Sequence, residues 1–127
     1  MEAEAYIFDL HKAHKKWKSG LDFYADDLLI LKNRLAEVSI KNTRQEVKMD
    51  VEKFQNQFII QKIEIDKLSH EIQLSDDTIE ENIKANPVAV DHRKMNETTN
   101  LEDRMETFKS LFAKMKEEFN DFVAKNL

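Results

Sequence analysis

The stretch LHKAHKKWKSGLDFYADDLLILKNRLAEV, residues 10 to 38, places a large side chain at alternating steps of three and four. Extended back to Ile7, the series runs through Leu10, His14, Trp17, Leu21, Tyr24, Leu28, Leu31, Leu35 and Val38. That spacing draws one stripe along a helix at the coiled-coil period. His14 is its one polar member, and Gly20 lies beside the stripe without breaking its phase.

The same rhythm occurs twice more. Val47, Val51, Phe54, Phe58, Gln61, Ile65, Leu68, Ile72, Ser75 and Ile79 form a second stripe. Leu101, Met105, Phe108, Phe112, Met115, Phe119 and Phe122 form a third. Three long helices follow, and the breaks between them have local causes. Around SIKNTRQE the phase is lost, and Thr43 with Glu46 three residues later offers a capping box. At ANPV, Asn86 is a competent cap and Pro87 suits a first helical position. Thr99 with Glu102 is a second candidate start for the third helix.

The sequence therefore predicts an all-α fold, a long antiparallel three-helix (up-down-up) coiled-coil-like bundle forming a single domain. The helices cover roughly 3–39, 43–84 and a third segment from about 87 or 99 to 125, and matched lengths favour the start near 87. With tight reversals, residue numbers facing each other should sum to about 82 across the first pair and about 172 across the second. Leu28 then meets Phe54 and Phe119, Tyr24 meets Phe58 and Met115, and His14 meets Leu68 and Met105.

Composition supports this reading. The 127 residues are 35% charged and 41% hydrophobic, with one glycine and one proline, too little punctuation for hairpins and catalytic loops. The net charge of -5 argues against a general nucleic-acid binder, and the lack of cysteine excludes disulfides and thiolate chemistry. No apolar run approaches a membrane span, so a cytoplasmic protein without a membrane partner is expected.

The most basic stretch, HKAHKKWK at 11–18, divides between two faces of the first helix. His14 and Trp17 point inward, whereas Lys12, Lys15 and Lys16 point outward with His11 and Lys18 on the flanks. A solvated basic face over a core tryptophan accounts for that pattern. Metal binding lacks support, because the residues three before His11, His14, His70 and His92 are Phe8, His11, Lys67 and Ala89 rather than glutamates. No Asp or Glu occupies any of the three stripes, so no buried carboxylate pair, catalytic residue, metal or cofactor is expected.

Apolar residues off the stripes carry more information. Phe23, Leu29 and Ile30 on the first helix and Ile59, Ile60 and Ile63 on the second lie away from the core seams, level with one another, as one patch or two. They are the expected protein interface. Self-association as a homodimer through the second helix is its simplest use, since a two-fold dimer needs one self-complementary patch. The layout, with Trp17 on the inner stripe of the first helix, resembles spectrin-type repeats in outline; that likeness covers the arrangement and one residue type and brings no functional residue. The sequence thus points to a non-enzymatic scaffold or adaptor acting through protein association. The alternative is a module binding anionic partners, nucleic acid or an acidic surface, through Lys12, Lys15, Lys16 and Lys18.

Overall fold

A computed structural model describes residues 2–85 and 92–127, with side chains over 8–78, 81 and 100–127. Three α-helices account for nearly all of it: α1 (Glu2–Lys41), α2 (Gln45–Ala85) and α3 (His92–Asn126). They pack as an antiparallel up-down-up bundle. Helices of 40, 41 and 35 residues draw most of their stability from tertiary packing of an amphipathic face. Burial of the three stripes holds them.

Every described stripe position on α3 is buried, as are Leu10, His14, Leu21, Leu28, Leu31, Leu35 and Val38 of α1. On α2 the buried series is Val47, Val51, Phe54, Phe58, Ile65, Leu68, Ile72 and Ser75. Trp17, Tyr24 and Gln61 are half-buried, and the side chains of Ile7 and Ile79 lie outside the described residues. Val123 joins the core beside Phe122, widening the third seam at its end.

Phenylalanines concentrate at the α1–α2 turn. The Phe119 ring lies 5.3 Å from Phe54 and 5.2 Å from Phe58, and Phe54 also lies 5.0 Å from Phe122. Farther along, Tyr24 meets Phe108 at 5.2 Å and Phe112 at 4.8 Å, both edge-on, the arrangement ring quadrupoles favour.

The expected layers need correction. Phe54 does meet Phe119, while the ring partners of Tyr24 are Phe108 and Phe112, about one to two turns along α3 from the expected Met115. His14 lies level with Asp76, about two turns along α2 from the expected Leu68. The cause is the turn. α1 runs on to Lys41 and α2 starts at Gln45, so the reversal is centred later and slides α2 along α1.

The turn is also closed differently. The Arg44 carbonyl accepts the first α2 bond from Lys48 N–H at 3.1 Å, placing the cap at Arg44 instead of at Thr43. Asn42 Nδ2 donates to the Val38 carbonyl and to the Asn126 carbonyl, each at 2.9 Å. One side chain thereby satisfies free carbonyls at the ends of both α1 and α3. Asn86 and Pro87 lie outside the described residues. α3 is already helical at His92, so Thr99 and Glu102 stand within it and the start near 99 is excluded.

Polar links cross all three helix pairs. His14 Nδ1 shares a hydrogen bond with Asp76 Oδ1 between α1 and α2. Arg104 of α3 reaches Glu71 and, at 3.4 Å, Glu64 of α2. Lys116 of α3 donates to Asp27 of α1 at 2.8 Å. Because apolar contacts tolerate sliding by a turn, such directional links specify register.

Candidate functional site

All six off-stripe apolar residues stay in solvent, and of the one patch or two expected the bundle makes several separate surfaces. Leu29 of α1 and Ile59 and Ile63 of α2 line a shallow groove between those helices, floored by Ala25, Leu28 and Phe58 and edged by Lys32 and Lys62. Ile60, about 60° round α2 from Ile63, lines the groove on the α3 side with Leu111 and Met115. Phe23 lines the α1–α3 groove with Trp17 and Met105, so it does not meet Ile59. Ile30 follows Phe23 at seven residues and faces outward from α1 on nearly the same side. The slide of α2 along α1 separates the residues that the expected register had placed level.

A longer apolar band runs along the outer side of α2. Met49, Ile60, Ile63 and Leu74 are 63%, 61%, 59% and 50% exposed. On a 3.6-residue helix these four directions fall within about 60° of one another, opposite the buried seam. Ile59 borders the band on its α1 side. Met49 and Leu74 escape sequence reading because each is an isolated apolar residue among polar ones; the available signal is their spacing of eleven from Ile60 and Ile63, three helical turns.

The basic segment also changes character. Lys12, Lys15 and Lys16 line the α1–α3 groove, whereas Lys18 faces α2 and hydrogen-bonds Gln73. Trp17 is only half-buried, and Phe23 beside it is 68% exposed, so aromatic surface does accompany the lysines. The expectation that Trp17 is wholly committed to the core is corrected. Its ring lies 5.4 Å from His14, and the residue lines the groove.

His14 is fully enclosed, and Asp76, next to the stripe position Ser75, reaches it. A residue adjacent to the seam thus delivers a carboxylate that no stripe position carries. Exposed His11 Nδ1 stands 3.6 Å from the same Asp76 oxygen. His14 Nε2 and Ser75 Oγ are buried without protein partners. Among the described residues, no group of three or more His, Asp or Glu side chains is placed to hold a metal ion, and no helix is long and apolar enough to cross a membrane. Comparison with protein-family models, curated proteins and solved structures finds no match to the chain.

Proposed function

We propose that the protein is a non-enzymatic helical scaffold that works by association, and that two copies pair through the outer faces of α2. The observation carrying this reading is the symmetry of the apolar band. Met49 and Leu74 stand equally far outside the pair Ile60 and Ile63, so the band reads alike in both directions. Two α2 helices laid antiparallel about a dyad between residues 61 and 62 bring Ile60 of each copy against Ile63 of the other. Met49 then meets Leu74 at both ends. This self-complementarity is what a closed two-fold dimer requires.

Full burial of one such side chain is worth about 1.5–3 kcal/mol, and these are already partly covered. Eight of them across the dyad give roughly 10 kcal/mol before an association cost of at least about 4 kcal/mol, which places the dimer at tens of micromolar at its tightest. Ile59, and Leu29 across the α1–α2 groove, widen the contact on one flank, while Phe23 and Ile30 face a different side of α1 and contribute nothing to it.

Sedimentation tests the pairing and its direction. The native chain should sediment as a dimer at about 100 µM, and Ile60→Lys with Ile63→Lys as a monomer of unchanged helix content. Met49→Lys and Leu74→Glu should each weaken the dimer alone. Mixed, they should restore it, because only antiparallel pairing sets the new lysine opposite the new glutamate. A native monomer at that concentration overturns the reading, and so does a mixture that fails to reassociate.

A further inference from the structure

A second surface, separate from the α2 band, points to a partner of different chemistry. Between α1 and α3, two helices running in the same direction, lies an open groove lined by Ala13, Trp17, Gly20, Phe23 and Met105. Lys12 and Lys16 stand along its α1 side and Lys109 on its α3 side. Lys109 has Glu106 3.7 Å away, whereas Lys12 and Lys16 form no ion pair among the described residues. From Ala13 to Phe23 the lining spans about 15 Å, roughly three turns of a docked helix.

We propose that this groove seats an amphipathic helix of a partner protein, apolar along one stripe and acidic on its flanks, completing a fourth helix beside α1 and α3. Three observations choose that occupant. The floor is apolar and aromatic, and the rims set Lys12, Lys15, Lys16 and Lys109 against Asp9 and Glu106, a net positive surround concentrated on the α1 side, so a helix with an apolar stripe and flanking glutamates meets complementary charge chiefly along α1. The groove runs along the helix axes, which suits the helix-in-groove mode of recognition. Gly20 supplies the third. It is the chain's single glycine and lies mid-helix, where glycine is unfavourable, yet a Cβ built there meets nothing within 4 Å. The isolated chain gives no packing reason for glycine at this position, whereas close approach of a partner backbone does. A nucleic acid would also meet lysines and aromatics here, but Asp9 and Glu106 in the lining and the acidic whole chain favour a helix.

The probe is a synthetic fluorescent peptide of about fifteen residues with leucine at heptad a and d and glutamate at e and g. Fluorescence anisotropy against the full chain should give saturable binding. A lysine-flanked version, and one with the leucines scrambled, should each bind at least tenfold more weakly. Lys12→Glu with Lys16→Glu should weaken the acidic peptide by tenfold or more. Gly20→Leu should block the seat while thermal unfolding shows the chain still folded, and Gly20→Ala, a smaller obstruction of the same seat, provides a second variant should leucine unfold it. No binding by the acidic peptide, or equal binding by the lysine-flanked one, overturns the proposal. Competition by single-stranded DNA that binds more tightly than the peptide replaces the helix by a polyanion. If Gly20→Leu dissociates the native dimer, the occupant is a second copy. The α2 variants Ile60→Lys and Ile63→Lys should leave peptide affinity unchanged, which separates this seat from the self-association face.

Discussion

Removing Asp76 should harm the bundle more than removing the histidine it holds. His14 is fully buried, with Nδ1 hydrogen-bonded to Asp76 and Nε2 without a protein partner. Asp76→Ala strands the second ring nitrogen, and a buried polar group left without its partner costs about 1–3 kcal/mol. Alanine's better helix propensity at that site returns roughly 0.5 kcal/mol, for an expected net loss of about 0.5–2.5 kcal/mol. His14→Leu removes both ring nitrogens together and keeps an apolar side chain beside Trp17. It loses the ring contact at 5.4 Å, worth about 0.5–1.5 kcal/mol, and relieves the unpaired Nε2. The Asp76 carboxylate, 13% exposed, keeps exposed His11 at 3.6 Å as a neighbour and must rotate its freed oxygen toward water. His14→Leu should therefore lie within about 1 kcal/mol of the native chain, and adding Asp76→Ala to it should cost almost nothing more. Urea unfolding of the four proteins at fixed neutral pH measures the cycle. A harmless Asp76→Ala, or a His14→Leu loss above about 3 kcal/mol, would refute the reasoning, because the pair would then stabilise by itself instead of satisfying a buried polar group.

Two further outcomes follow from packing. Phe119→Ala removes a fully buried ring that touches Phe54 and Phe58, and should lower unfolding free energy by about 3–5 kcal/mol, read from the guanidinium midpoint with helix content retained. Gly20→Ala fills open space in a helix interior and should raise stability by about 0.5–1 kcal/mol, visible as a melting temperature higher by a few degrees; a lower temperature would mean that the site is not open.

The fold is legible because a three-and-four rhythm sustained over ten positions has no satisfactory extended-strand reading, and nearly every stripe residue with a described side chain is buried or half-buried. Register is less legible. It depends on where a short turn is centred, and Asn42 settles that through contacts to Val38 and to the far end of α3, which local propensity does not contain. Asp76 was missed for a related reason: a stripe counts the residues at the seam and overlooks neighbours whose side chains swing into it. The off-stripe isoleucines were visible as a run, whereas Met49 and Leu74 become meaningful only when the outer face of α2 is followed across three turns on either side. Trp17 shows the opposite limit, since a large residue on the seam can still be only half-buried.

An odd number of passes has a geometric consequence. α1 begins at one end of the rod, and α3 finishes at the other, where the Asn126 carbonyl meets Asn42 in the turn. Whatever is attached near Phe8 and near Leu127 is therefore held about 45–50 Å apart along the axis. A two- or four-pass bundle would return its chain to the same end, whereas this one carries it across the full length of the rod. Tension applied along the rod between those attachments would load all three helices together, in shear along their seams, with the directional links His14–Asp76, Arg104–Glu71 and Lys116–Asp27 resisting the slide.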